Sequence, residues 1–244
     1  MEVINNFYLN DRRCGNAVTI NGKSAYVLFN ADLKEKRAVA GEITADFRKV
    51  LNSSRLSISK YDIATGGLEM VFYVGGASRQ ECDIHTSHLI AECRNCVIKT
   101  DDDSFEYLSV LTEFLIEATG VDYYNEVTLT FSVIKRMPLS VYTFSGGGGI
   151  FRNVGSIESG ARITITPVRD TNTLIVQGIT VKNLIANMPF IIDGIAGEVK
   201  SNGINRFADT DLIDFPKAYP GNNTLEISDN SCAVEVAFYP TFIV

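Results

Sequence analysis

Tryptophan is absent from this 244-residue chain, and histidine occurs only as His85 and His88. Without tryptophan the chain lacks the broadest ring for stacking on sugars. With two neighbouring histidines, a Ser-His-Asp arrangement would have to use one of them as base, and no serine stands in a nucleophile-elbow sequence. Long apolar runs are missing too. Nothing approaches the ~18 uncharged residues from which a membrane-spanning helix is read. Met1 to Asn10 carries neither a basic nor an apolar stretch, so no signal peptide is expected and the chain should be made and folded in a cytosol. The five cysteines, Cys14, Cys82, Cys93, Cys96 and Cys232, are odd in number and irregularly spaced, which predicts free thiols. Asn52-Ser53-Ser54 and Asn222-Asn223-Thr224 match the glycosylation pattern but mean nothing without a secretory route.

Excess positive charge is also lacking. Lys and Arg number 22 against 29 Asp and Glu, a net charge of -7. The first 136 residues hold 15 basic and 19 acidic side chains, net -4, and the remainder 7 and 10, net -3. Basic residues come in twos and threes (Arg12-Arg13, Lys34 to Arg37) with acids beside them. A protein that grips nucleic acid concentrates Lys and Arg on one element, so specific nucleic-acid binding is not expected. What is present is an ordinary soluble composition, 45% apolar and 21% charged. A compact fold of this length buries roughly 70% of the unfolded chain's surface and needs no staples.

Period-2 alternation in runs of Val, Ile, Thr, Phe and Tyr predicts strands through most of the sequence. In the C-terminal half they fall at Ala161 to Val168, Thr173 to Asn183, Phe190 to Asp193, Glu198 to Asn202, Asn223 to Ser228 and Ala233 to Phe242. Turn signals separate them at Asp170 to Asn172, Asp193-Gly194, Asn202-Gly203 and Pro220-Gly221-Asn222. Short strands with frequent turns predict an antiparallel β-sandwich, with no helix of any length after Pro138. The N-terminal half reads as mixed. Strands are expected at Ala17 to Ile20, Ala25 to Phe29, Arg55 to Lys60, Gly67 to Val74, Val97 to Lys99, Glu106 to Leu115 and Glu126 to Ile134. One short helix is expected from about Asp83 to Asn95, capped by Asp83 or Ser87. The fold class is therefore mainly β. It comprises an N-terminal mixed β domain over residues 1–140, a glycine-rich linker over about 141–149, and a C-terminal sandwich over 150–244.

Few groups could carry chemistry. Cys82, His85, His88, Cys93 and Cys96 place five metal-capable side chains in fifteen residues, which raises a zinc site. On a helix, Cys82, His85, Leu89, Cys93 and Cys96 instead form one stripe roughly 20 Å long, whose ends cannot close on one ion. A thiolate pair of His88 with Cys93 or Cys96 is a further reading. Asp101-Asp102-Asp103-Ser104 lacks the spacing of a calcium loop and reads as a solvated turn. Asp209-Thr210-Asp211-Leu212-Ile213-Asp214 could supply paired carboxylates for a glycosidase. The tract Ser145 to Gly149 is no phosphate loop, since Ile150 and Phe151 follow it, and it reads as a flexible connector. Tyr142, Phe144, Tyr219 and Tyr239 are available as a sugar platform. No catalytic residue, cofactor or metal is assigned.

The C-terminal run Ile191-Ile192-Asp193-Gly194-Ile195-Ala196-Gly197-Glu198-Val199 leads to Asn202-Gly203-Ile204-Asn205-Arg206-Phe207. Asp214-Phe215-Pro216 and Tyr219-Pro220-Gly221-Asn222-Asn223 come next, and Val234-Glu235-Val236-Ala237-Phe238-Tyr239-Pro240-Thr241-Phe242 closes the chain. In order and in distance from the C-terminus these resemble the distal tail (Dit) protein family of long, non-contractile-tailed bacteriophages. Asn153-Val154-Gly155-Ser156 looks like that family's lead into its second domain, although Gly160-Ala161 stands where a proline is expected. The match covers roughly the last 95 residues.

The resemblance implies a homohexameric ring at the virion tail tip, or twelve subunits where two rings stack. The N-terminal domains would surround a channel for DNA, and galectin-like C-terminal sandwiches would project outward. Implied partners are the tail tube protein, a tail-associated hub or fibre protein, and a receptor-binding protein; no membrane is involved. The arm Gly67 to Gly76, with Leu68, Met70, Phe72 and Val74 alternating along it, and the helix after it are the candidate contributors to the subunit interface. The arm has little polarity on either face and either pairs with a neighbour's sheet edge or lies buried within the subunit. Two other function classes remain at this point: a carbohydrate-binding sandwich module, and a hydrolase, which stoichiometric zinc would support.

Overall fold

The computed structural model describes residues 17–41, 43–49, 56–63 and 65–243. Cys14, the Arg12-Arg13 pair and the Asn52 sequon lie outside the described residues. The fold is mainly β, with antiparallel pairing throughout the named strands. Contacts divide the chain into two compact units, one running to Arg136 and including Ile243, the other Met137–Phe242.

The first unit is built on one sheet. Its strands are β1 (Val18–Ile20), β2 (Lys23–Ser24), β3 (Ala31–Val39), β6 (Gly66–Gly75), β7 (Asn95–Thr100), β8 (Glu106–Ala118) and β9 (Tyr124–Arg136). They run in the order β2-β1-β7-β8-β9-β6-β3. A separate hairpin pairs β4 (Ile43–Lys49) with β5 (Leu56–Ile63). The edge strands β2 and β3 are joined by the five-residue helix α1 (Ala25–Phe29), so the two ends of the sheet must curl toward one another. Inside this curve lies a core that includes Ile20, Leu68, Met70, Phe72, Leu89, Ile98, Leu129 and Phe131.

Ala25 to Phe29, expected as a strand from its aromatic and β-branched content, is helical. Ser24 accepts a hydrogen bond from the Val27 N–H at its start, and Asn30 turns left-handed (φ 45°) to end it. The long helix α2 spans Arg79–Glu92, four residues earlier than expected. Ser78, not Asp83 or Ser87, is its N-cap, and its hydroxyl accepts from the Glu81 N–H at 3.2 Å. Glu81 in turn accepts from the Ala77 N–H at 2.7 Å, which ties down the residue just before the cap. The strand β3 is not visible in the sequence pattern because its outer half, Lys34 to Val39, is mostly charged and exposed.

Charge also closes one end of the curved sheet. Lys36 pairs in register with Met70 and so shares its inward face. Its ammonium donates to Asp102 at 2.7 Å, Thr100 at 2.9 Å and Asp103 at 3.2 Å, and the Tyr107 hydroxyl donates to Asp103 at 2.9 Å. The triple-aspartate turn is thus a lysine anchor. Burial works to raise the Asp102 carboxyl, but hydrogen bonds from Lys36 and Thr100 and the Lys36 charge outweigh it, and the group is held below its usual value. A depressed folded value makes this contribution complete above about pH 4 and lost as pH falls through the folded value. Thermal melts in acid should show a shallower loss of stability below pH 4 in Lys36→Met than in the parent. Identical slopes would mean that the link contributes nothing.

The second unit is an antiparallel sandwich. One layer has the order β10-β20-β12-β15-β16-β17, with β10 Ser140–Ser145, β12 Ser159–Pro167, β15 Phe190–Asp193, β16 Glu198–Ser201, β17 Ile204–Asn205 and β20 Cys232–Phe238. Short β18 (Lys217–Ala218) pairs with the start of β12. The facing layer pairs β11 (Gly148–Asn153) with β19 (Gly221–Glu226), and β13 (Thr171–Val176) with β14 (Ile179–Leu184). A Val176–Ile227 bridge joins these two pairs. Phe151, Leu174, Val181 and Leu225 from one layer meet Ile163, Ile165, Val236 and Phe238 from the other in a single core.

Two expectations are corrected in this unit. Thr173 to Asn183 is a hairpin, turned at Gln177 (φ 52°) and Gly178 (φ 77°), rather than one strand. The glycine tract is not a linker: Ser145 ends β10 in one layer, Gly148 opens β11 in the other, and Gly146, Gly147 and Gly148 all have positive φ. The glycines are there because three successive left-handed residues turn the chain from sheet to sheet, a path that side chains oppose.

Candidate functional site

The metal-capable cluster is divided by α2. Cys82, Thr86, Leu89, Cys93 and Cys96 are buried, so Thr86 takes the core position expected of His85. His85 is half-buried, with Nδ1 2.7 Å from the Gly75 carbonyl oxygen, and His88 is exposed. Cys82 donates to the Val74 carbonyl at 3.4 Å and Cys96 to the Cys93 carbonyl at 3.6 Å. Burial pushes the Cys82 thiol up, and the Cys96 hydrogen bond together with burial does the same to Cys93. Such thiols behave as small core hydrophobes. Among the described residues no group of three or more His, Cys, Asp and Glu side chains is placed to hold a metal ion.

Of the two places expected for the arm, it takes the one inside the subunit. Leu68, Met70, Phe72 and Val74 are all buried inside the first unit. Their strand β6 is hydrogen-bonded on both sides, to β3 and β9, so it has no free edge to offer a neighbour. The low polarity of both faces that suggested an intersubunit arm reflects a central strand.

Apolar surface is instead exposed at the far end of β8. A register shift between Leu111 and Glu113 leaves Thr112 as the extra residue of a bulge, its hydroxyl donating to the Thr130 carbonyl at 2.9 Å. Beyond it, Phe114 stands opposite Leu129, Ile116 opposite Val127 and Ala118 opposite Asn125, on the core side of the sheet. Helix α2 packs on β6 and β9 and leaves this end of β8 uncovered. Phe114 is consequently 52% exposed and Ile116 44%. Between them and α2 runs a groove of about 430 Å³ walled by Ile90, Ala91, Phe114 and Ile116, with Thr86 and Asn125 at its base and Arg79 and Arg94 at its rim. A second apolar patch lies on α1, where Tyr26, Val27 and Leu28 face outward and Val27 is 77% exposed. Sequence periodicity missed both: the bulge reverses the alternation of β8 midway, and α1 read as a strand.

In the second unit the acidic stretch is structural. Asp209 accepts from Asn183 at 2.6 Å and pairs with Arg206, while Asp211 accepts from the Thr180 N–H at 2.6 Å. These hydrogen bonds hold both carboxyls below their usual values. Of the four aromatic candidates, Tyr142 and Phe144 pack against the core, Tyr142 stacking on Phe238 at 6.0 Å between centroids. Tyr219 is exposed and Tyr239 half-buried.

The residues that carried the family resemblance are turn and core determinants. Asp193 accepts from the Ile195 and Ala196 N–H groups at 2.9 and 3.0 Å. Asn223 accepts from the Tyr219 N–H at 2.9 Å and donates back to its carbonyl at 2.7 Å. Asn153 donates to the Ala218 carbonyl and accepts from the Gly155 N–H. Val234, Val236 and Phe238 are buried.

No known protein family and no curated protein matches the chain by sequence. Solved structures do match by shape. The crystal structure of SPP1 Dit, whose description calls it a paradigm of the hub adsorption apparatus in phages infecting Gram-positive bacteria, superposes with a TM-score of 0.72 at 14% identity. That superposition covers 93% of this chain and 99% of the SPP1 protein. A chain of the phage P2 baseplate in its activated, calcium-containing conformation matches with a TM-score of 0.54 at 11% identity, covering 86% of this chain and 90% of that one. The fold of this protein is therefore the fold of SPP1 Dit.

Proposed function

We propose that this protein is a structural subunit of a bacteriophage tail tip: a distal tail hub protein that closes into a ring of six, joins the tail tube to the adsorption apparatus and leaves a central channel for DNA. The observation that carries the reading is the end-to-end likeness to SPP1 Dit, with both units in one chain and almost nothing left over on either side. Partial coverage would have matched a sandwich module alone.

Two further features support it. A closed ring needs two different surfaces that meet head to tail, and the first unit presents two separate apolar patches, at the end of β8 and on α1. A channel for DNA must not hold its phosphates. Lys34 is bound to Glu126, Lys36 to Asp102 and Asp103, and both Lys99 and Arg136 to Glu106, on a chain of net charge -7. The partners are then further copies, the tube protein and the tail-tip proteins that bind receptors, and the place is the virion tail tip.

The role requires no catalysis. Light scattering of the purified chain at micromolar concentration should return about six times 26.8 kDa, or twelve times for stacked rings. A species of 26.8 kDa at every concentration would contradict the proposal.

A further inference from the structure

We infer that the groove between α2 and the far end of β8 seats a second copy of this chain; the inference rests on the ring-forming role proposed above and assigns one of the faces at which neighbours meet. Its base holds an unmet polar group. Asn125 is fully buried, and its amide nitrogen donates to the Thr86 hydroxyl at 3.2 Å, yet its carbonyl oxygen Oδ1 has no hydrogen-bond partner. Buried carbonyls are rarely left so, because the lost water is not replaced. That oxygen is itself shielded from the groove, so the occupant is read from the walls and from charge.

The walls say what kind of body that is. Phe114 and Ile116 point to the core side of the sheet and are about half exposed, an arrangement that is stable in a monomer only at a cost and favourable once covered. The surface does not end at the groove. It continues along α2 over Arg79, Asp83 and Ser87 to a shallower depression beside Ile84 and His88. Such a strip, open along its length, matches a protein face.

Charge selects the occupant. Arg94, at the rim, is exposed and has no carboxylate partner among the described residues, although it belongs to a half-chain of net charge -4. A second copy of that acidic half-chain brings carboxylates to Arg94 and apolar surface to Phe114 and Ile116. Nucleic acid, the other acidic body at hand, offers phosphates but no apolar face for Phe114 and Ile116.

Sedimentation velocity of the full chain and of Ile116→Glu tests this, with Ile213→Glu in the other unit, at a position 95% exposed, as control. The parent and Ile213→Glu should assemble alike. Ile116→Glu should remain a folded monomer and associate at least about 100-fold more weakly, since a carboxylate would be buried without a partner. If Ile116→Glu disrupts folding by circular dichroism, Arg94→Glu replaces it and should weaken association about 10-fold in low salt. An assembling parent with equally assembling groove variants overturns this assignment and leaves the ring intact. A parent that never assembles overturns the ring proposal, and the assignment with it.

Discussion

Phe72→Ala should destabilise the first unit by about 3–5 kcal/mol, the range for emptying a fully buried aromatic site. Phe72 is 1% exposed and lies in register with Leu33 of β3 on one side and Val127 of β9 on the other, so three strands lose contacts at once. No larger neighbour is free to collapse into the space, because Leu68, Met70 and Val74 already fill the same face. Urea denaturation followed by circular dichroism should show the first unit's transition moving to much lower urea. Leu115→Ala, on the opposite face and more than half exposed, should stay within about 0.5 kcal/mol of the parent. The pair separates core from interface: if β6 were an intersubunit arm, Phe72→Ala would change assembly and spare the stability of the monomer.

A second large effect is expected at the corner between the two layers of the sandwich. Gly148 has φ +91°, and a Cβ built on it would stand 1.9 Å from the Leu225 carbonyl oxygen on the paired strand β19. Backbone cannot swing aside as a side-chain tip can. Gly148→Ala should therefore cost about 3 kcal/mol or more, combining left-handed strain with overpacking. Gly147→Ala provides the internal comparison. It has a similar φ, +72°, but its nearest contact is an Asn230 side-chain oxygen at 3.8 Å, so only the strain of about 1 kcal/mol applies. Equal losses at the two positions would show that the close approach to β19 is absent.

That corner also shows where reading the sequence stops. Four consecutive glycines look alike as composition, and composition suggests a tether. Only the pairing of β10 with β20 and of β11 with β19 reveals them as a turn between packed layers. The sandwich itself was legible, because each layer buries one face of its strands and alternation then writes burial into the sequence. Ala161 to Val168 and Phe190 to Asp193 fall almost on the observed strands for that reason. The first unit was less legible. In β6 both faces are covered or flanked, so its pattern carries no direction and fits a buried central strand and an intersubunit arm equally well. In β8 the bulge at Thr112 shifts the alternation and hides the exposed Phe114 and Ile116. Polar residues with fixed jobs survived best. Asp193, Asn223 and Asn153 each satisfy backbone groups at turns, a role that depends on local geometry and that neighbouring residues already disclose.

The exposed groove at α2 and β8 owes its existence to tertiary structure alone. Helix α2 is long enough to cover β6 and β9 and no more, while β8 runs the full length of its hairpin. No periodicity within either element predicts that mismatch, and the unpaired oxygen of Asn125 is invisible until both are folded.

Negative-stain electron microscopy of the purified full-length chain, applied at micromolar concentration, addresses self-assembly without any assumption about which surfaces touch. The expected image is a six-fold annulus with a stain-filled hole and lobes around its rim. A field of single particles with no annuli at any loading would contradict it.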